Sequence, residues 1–203
     1  METIQPETQQ IQPEPVAEQP ANWKRFVLDI LETLVLAVVL YFGINAVSAR
    51  VRVDGFSMRP SLQDGEYILV NKLAYKTGEP HRGDIVVFIF PVDPSEDLIK
   101  RVIGLPGETV SVHNGVVKVN GVALTEPYIA SPPAYEDDRV VPEGQLYVLG
   151  DNRNDSRDSH QWGLLPIENV IGRAVLIYWP PKEWQVINHN IQNMVELKSL
   201  SLK

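Results

Sequence analysis

The sequence predicts a mainly β protein: an antiparallel β-sheet domain with a small β-hairpin accessory subdomain, preceded by one transmembrane α-helix. Three observations carry this. A long apolar stretch runs from Phe26 to Ser48. Beyond Arg50, short β-branched runs recur at close spacing, each ended by Gly, Pro, Asn or Asp. Between two pairs of such runs stand Asn114-Gly115 and Asn120-Gly121, and Asn-Gly is the strongest short-range hairpin signal.

In chain order, residues 1–22 are rich in Gln, Glu and Pro and hold no Lys or Arg. That composition cannot bury enough apolar surface to fold alone, so it reads as a disordered tail. Residues 23–49 read as a transmembrane anchor, with Trp23 at the interface and Lys24 and Arg25 ahead of the apolar run. Phe26 to Ser48 as a helix covers roughly 35 Å at about 1.5 Å per residue, enough for a hydrocarbon core of about 30 Å. Asp29 and Glu32 fall in its first turns, where headgroups and the helix N-terminus both favour acids. A cleaved signal peptide would instead begin with positive charge and end at small residues, and here an acidic tail precedes the apolar run. Charge leaves the orientation open, because Lys24 and Arg25 on one side face Arg50, Arg52 and Arg59 on the other.

Residues 50–181 read as the β-rich domain. Its expected strands are Tyr67–Val70, Asp84–Phe90, a run around Lys100, Gln145–Leu149 and Ala174–Trp179. Residues of about 108–142 form the inserted hairpin subdomain, built on Thr109–Val112, Val116–Val119 and Val122–Leu124 and closed by a loop over Ser131–Asp138. Residues 182–203 read as a C-terminal tail with a frayed end, or with an amphipathic helix over Val186–Leu197.

The chain has 203 residues and a formal net charge of -8. It is long enough for one packed domain with attachments, and it has no basic stripe of the kind a nucleic-acid binder shows. It contains no cysteine, which excludes disulfides, thiolate metal sites and a cysteine nucleophile.

Two polar sites interrupt apolar sequence. Gly55 to Leu62 sets Ser57 on a turn, and Leu98 to Gly107 sets Lys100 in a strand. Period-two alternation puts Leu98, Lys100 and Val102 on one strand face, with Ile99, Arg101 and Ile103 on the other. An ammonium between two apolar neighbours is disfavoured by desolvation, so a neutral amine becomes available to activate a serine hydroxyl. Taken singly, Ser57 reads as a turn serine and Lys100 as an edge-strand lysine that blocks aggregation. A third polar stretch, Gly150–Gly163, leaves a buried strand. As a calcium loop it fails, since Arg153 occupies a ligand position, Ser156 replaces the turn glycine and Trp162 stands where a bidentate glutamate belongs. It suits a hydrogen-bond network that orients a neighbouring group.

Ser57-Met58-x-Pro60, Arg82-Gly83-Asp84-Ile85-Val86, Lys100 through Gly107, and Gly150-Asp151-Asn152-Arg153 with Asp158-Ser159 resemble the ordered boxes of bacterial type I signal peptidase, over roughly Phe26 to Trp179. The tail and span resemble that family's anchor. The resemblance implies that Ser57 is the nucleophile, with its own N–H as the oxyanion donor, and that Lys100 is the general base. It implies that Ser156 hydrogen-bonds and orients the lysine amine and that Asp158 supports that geometry by charge. Val51, Val53 and Ile99 correspond to apolar contributors to the pockets for small substrate residues. Three departures stand out. Gly55 occupies a position where many members carry a hydroxyl that completes the oxyanion hole, which leaves the hole to backbone donors. Ser61 stands where threonine is commoner. His160 stands where arginine is frequent, making an ion pair to Asp158 pH-dependent or absent.

The expected function is a membrane-anchored serine endopeptidase that removes N-terminal signal peptides from secreted or translocated preproteins. It requires no cofactor or metal. Its partners are signal-peptide-bearing preproteins and membrane lipid, with no nucleic acid, and the sequence does not fix its oligomeric state. The resemblance places it in the plasma (inner) membrane as a single-pass protein, N-terminus cytoplasmic and catalytic domain on the trans side, with another internal membrane such as the thylakoid as the alternative. A Ser57-His160-Asp158 triad is weighed and set aside, because the orienting acid normally reaches across the fold. Two other classes are a Ser/Lys self-cleaving regulator, which would need a DNA-binding module, and a non-catalytic membrane-anchored β binding module. The latter gives no reason for the serine and lysine to occur together. His81, His113 and His189 read as solvated.

Overall fold

A computed structural model describes residues 23–189. The tail assigned to residues 1–22 and all of the C-terminal tail beyond His189 lie outside the described residues. The chain divides into two compact units, one ending at Phe42 and the other beginning at Gly43.

Helix α1, Trp23–Val47, carries its charged residues Lys24, Arg25, Asp29 and Glu32 in its first half, is apolar beyond them, and buries none of its residues. Its length and composition suffice to cross a membrane, and so much exposed apolar surface suits an apolar medium around it. The Thr33 hydroxyl donates to the Asp29 carbonyl at 2.7 Å, which satisfies a polar side chain within the helix itself.

The second unit is built on two antiparallel sheets. The larger comprises β1 (Ser48–Arg52), β2 (Tyr67–Asn71), β3 (Ile85–Ile89), β4 (Asp97–Gly104), β9 (Gln145–Leu149), β10 (Leu165–Pro166), β11 (Val170–Trp179) and β12 (Gln185–Val186). Its order is β1-β2-β11-β3-β4-β9-β10, with β12 on β11. The smaller comprises β5 (Thr109–His113), β6 (Val116–Val119), β7 (Val122–Ala123) and β8 (Asp137–Val140), ordered β7-β6-β5-β8. Asn114 and Asn120 both adopt positive φ, the conformation that two-residue hairpin turns demand and asparagine tolerates.

Register fixes which residues share a face. Lys100 lies opposite Val86 and Leu98 opposite Phe88 in the β3–β4 pair, while Val102 lies opposite Val148 in the β4–β9 pair. Val86, Phe88, Val102 and Val148 form one apolar cluster with Leu98 packed against it. Ile85, Val87 and Ile99 enter a different cluster, with Val53, Met58 and Leu62 from the neighbourhood of Ser57. The alternation expected for this strand is observed from Leu98 to Val102, whereas a register shift between Val102 and Gly104 sends Ile103 into a third cluster with Tyr147 and Leu149; the apolar turn residues Met58 and Leu62 hold the serine's turn down against the sheet.

Several sequence expectations change. The pairing of β1 begins at Ser48 against Asn71, so the strand starts inside the range expected for the anchor. Asp137 and Asp138 leave the expected loop to form β8, because Ser111 and Val112 of β5 offer them an open edge. β11 begins at Val170, four residues before the expected start, and accommodates its length by register shifts against β2 and β3. Gln185 and Val186 extend the sheet as β12, so Val186 is a strand residue and not the start of a helix; the candidate helix beyond His189 lies outside the described residues. His189 is not solvated: the Ile85 N–H donates to its Nδ1 at 3.1 Å, and burial holds its pKa below the ordinary imidazole value, with Asp84 opposing that shift.

Candidate active site

Ser57 follows Gly55, whose φ of 93° lies where a side chain is strained and whose N–H donates to Asp64 Oδ1 at 2.8 Å. The turn needs glycine there, which accounts for the missing hydroxyl. After Ser57 the chain tightens, with Arg59 N–H donating to the Phe56 carbonyl at 3.1 Å and Leu62 N–H to the Met58 carbonyl at 2.9 Å. Met58 and Leu62 are buried, and Ser57 is half-buried at the edge of the cluster they enter.

Lys100 is 3% exposed. Its Nζ donates to Ser57 Oγ at 2.9 Å and to the Ile99 carbonyl at 2.9 Å. Burial pushes the amine down to about 8; the Asp158 carboxylate works against that shift and the Arg157 guanidinium adds to it. A lysine in this state supplies a proton acceptor at hydrogen-bond distance from a serine hydroxyl, which is the geometry that nucleophile activation requires. No acceptor among the described residues engages the Ser57 N–H, which leaves it available to a developing oxyanion.

The loop from Gly150 to His160 packs directly on this pair. A Cβ at Gly150 would fall 2.5 Å from the Ser57 carbonyl oxygen and 2.2 Å from Ser156 Oγ. Only glycine permits that approach. Asp158 is fully buried, accepts from the Gly150 N–H at 2.8 Å and pairs with His160 Nδ1 at 2.6 Å. The histidine at position 160 thus keeps a hydrogen bond to Asp158, and its imidazole is stacked on Tyr135 at 3.8 Å. His160 faces its own loop and Tyr135, and the neighbour of Ser57 Oγ is Lys100, so the triad set aside on sequence grounds is not assembled. Ser156 differs from its expectation. Its Oγ is buried with no hydrogen-bond partner among the described residues, because Lys100 Nζ is turned to Ser57 and Ile99; the Ser156–Lys100 bond implied by the resemblance is not made here.

The sequence pointed to a network in this loop without naming its members. Asp151, fully buried, takes two bonds from Arg101, at 2.8 Å and 2.6 Å, which is why it is unavailable as a calcium ligand. Arg101 also donates to the Gly83 carbonyl at 2.9 Å and to Ser61 Oγ at 3.2 Å, so the hydroxyl at position 61 is used. Arg153 forms a second buried two-bond pair with Glu126, at 2.8 Å and 2.6 Å. Tyr128 lies against the Arg101 guanidinium, 4.1 Å from its ring centre. Glu126, Tyr128 and Tyr135 were invisible to spacing because they come from the segment between β7 and β8. Buried Asp and Arg in one polar loop were the only available signal.

Val51 is half-buried while Val53 and Ile99 are 3% and 9% exposed, and all three belong to the cluster that holds Met58 and Leu62. They are brought together beside the turn that carries Ser57.

A turn serine bonded to a buried lysine on an antiparallel β scaffold is the arrangement that a serine hydrolase with an amine base requires. Residues 24–179 match the family model described as signal peptidase, peptidase S26, and the chain belongs to that family. It is 47% identical over 161 residues to probable signal peptidase I-2 of Synechocystis, covering 75% of this chain and 73% of the relative. It is 44% identical over 187 residues to signal peptidase I of Leptolyngbya laminosa, covering 86% and 89%. Thylakoidal processing peptidase 1 of Arabidopsis thaliana is 37% identical over 150 residues, covering 68% of this chain and 44% of the relative.

Proposed function

We propose that this chain is a membrane-anchored serine endopeptidase that removes N-terminal signal peptides from translocated preproteins, with Ser57 as nucleophile and Lys100 as general base. The carrying observation is the 2.9 Å contact between Lys100 Nζ and Ser57 Oγ at a lysine that is 3% exposed. The neutral amine takes the hydroxyl proton as Oγ attacks the scissile carbonyl, and the Ser57 N–H stabilises the oxyanion. Collapse of the tetrahedral adduct releases the mature protein's new amino terminus, which takes the proton from Lys100. The amine, neutral again, then activates water against the acyl-enzyme, which frees the signal peptide and restores Ser57.

Val51, Val53 and Ile99 line shallow apolar pockets that accept Ala-sized side chains at the first and third positions before the cut. Asp158 supports the lysine through its charge. Helix α1 holds the site at a membrane face, where signal peptides also lie, which raises their effective concentration. The N-terminus lies in the cytoplasm and the β domain on the trans side of the plasma membrane, a thylakoid membrane being the other setting.

The test is incubation of the purified chain in detergent with a preprotein, followed by N-terminal sequencing of the product. A single cut after a small residue at the signal-peptide boundary is expected. An intact preprotein, or cuts scattered through the mature part, would sink the proposal.

A further inference from the structure

We propose that Asn152 is the positioning residue of the oxyanion donor, aiming the Ser57 N–H by holding the carbonyls on both sides of it. This rests on the reading of Ser57 as the nucleophile. The Asn152 side-chain Nδ2 donates to the Phe56 carbonyl at 3.2 Å, and the Asn152 backbone N–H donates to the Ser57 carbonyl at 3.0 Å. The Phe56 carbonyl and the Ser57 N–H belong to one peptide group. A trans peptide is planar, so its C=O and N–H point in opposite directions, and fixing the first fixes the second. Arg59 N–H holds the same Phe56 oxygen from within the turn at 3.1 Å. Two donors on one oxygen define the plane's orientation where a single bond would leave it free to rock.

This chain needs such a device. Position 55 is glycine, so no side-chain hydroxyl is offered there and the backbone donor carries the oxyanion. Gly55 is also exposed, with nothing within 4 Å of where its Cβ would lie, so packing does not steady the peptide from that side. Asn152 is itself held. Asp151 before it is locked to Arg101 and Arg153 after it to Glu126. The Arg153 Nε also donates to the Gly150 carbonyl at 3.1 Å, and the Asp155 N–H to the Asn152 carbonyl at 3.0 Å. The two buried ion pairs thus make the loop a rigid arm, and Asn152 is the residue at which that arm touches the nucleophile's backbone.

A misaimed donor costs transition-state binding without costing substrate binding. Asn152→Ala in the full chain, assayed on a preprotein in detergent, is expected to lower kcat by about tenfold to a hundredfold and to leave KM within about twofold. The acidic limb of its rate profile should stay where the parent's lies, because the Lys100–Ser57 bond is untouched. Asn152→Gln keeps the amide donor on a longer arm and is expected to recover most of the loss. Asn152→Asp, an isostere without the donor, is the second removal variant and is read on the alkaline plateau. Thermal midpoints within a few degrees of the parent establish that all three are folded. The assignment is overturned if Asn152→Ala or Asn152→Asp, folded, works within twofold of the parent. It is equally overturned if the loss appears in KM, or if the acidic limb of Asn152→Ala moves. A parent chain that does not cleave the preprotein takes down the peptidase reading and this assignment together, whereas an active parent with unaffected variants takes down this assignment alone.

Discussion

Arg101 and Asp151 face each other through two hydrogen bonds of 2.8 Å and 2.6 Å, with the arginine 2% exposed and the carboxylate fully buried. Arg101 follows Lys100 in β4, so the strand that delivers the amine to one face delivers a guanidinium to the other. That guanidinium anchors the Gly150–His160 loop. Removing one partner leaves the other charge buried and unpaired, which costs about 3 to 5 kcal/mol. Asp151→Asn should therefore lower the thermal midpoint by well over 5 °C and cut activity with it. A calorimetric scan of the variant checks this, and an unchanged midpoint would mean that the pair does not hold the loop.

Lys100 is stabilised in its neutral form, so its pKa falls to about 8 chiefly through burial. The base is competent only when deprotonated, so kcat/KM should rise with pH through about 8 and level off above it. The profile should persist in His160→Gln. Loss of the acidic limb in that variant, with cleavage retained, would assign the limb to the histidine.

The same burial carries a stability cost. Below about 8 the folded chain holds a buried ammonium; between there and the ordinary lysine range the unfolded chain binds the extra proton, so stability rises with pH across that window. Lys100→Met replaces the buried charge with an apolar side chain of similar length. At pH 7 it should raise the thermal midpoint by several degrees while abolishing cleavage. A lower midpoint would show that the Ser57 bond outweighs desolvation.

His189 gives the opposite end of the scale. Its Nδ1 accepts from the Ile85 N–H, its pKa is depressed chiefly by burial, and Asp84, Arg173 and Arg101 are the charged groups that act on it. A depressed histidine contributes stability that is full above its unfolded value of about 6.5 and is lost as pH falls from there through its folded value. Thermal midpoints between pH 7 and pH 5 should fall less steeply in His189→Gln than in the parent. Parallel slopes would remove this histidine from the account.

Substrate selection tests Val51, Val53 and Ile99 as pocket walls. A preprotein with Phe at the first and third positions before the cut should resist cleavage, because a bulky side chain displaces the scissile carbonyl from near-attack geometry. Ile99→Ala should restore some cleavage of it. Efficient cutting of the Phe substrate by the parent chain would contradict the pocket assignment.

How much of this was legible in the sequence depended on how local the determinant was. Strand faces follow from a period of two, so Leu98, Lys100 and Val102 were placed correctly from spacing alone. The Asn-Gly turns located the small sheet's hairpins for the same reason. Partners distant in sequence were not legible: nothing in Glu126 or Tyr128 announces that they meet Arg153 and Arg101, because that proximity is created by the fold. Asp137 and Asp138 read as loop because charge opposes strand propensity, and an open edge on β5 overrode it. His189 reads as solvated from its loop position, whereas pairing of Gln185 and Val186 with β11 brings it against Ile85 and Asp84.

The Ser57–Lys100 pair is tested most directly by one comparison: the rate at which a preprotein is cut by the parent chain, by Ser57→Ala and by Lys100→Met, with each product sequenced and each variant shown folded by circular dichroism. Loss of the boundary cut in both variants, at unchanged secondary structure, is the expected result. Substantial cutting at the same site by either folded variant would contradict the Ser57–Lys100 mechanism.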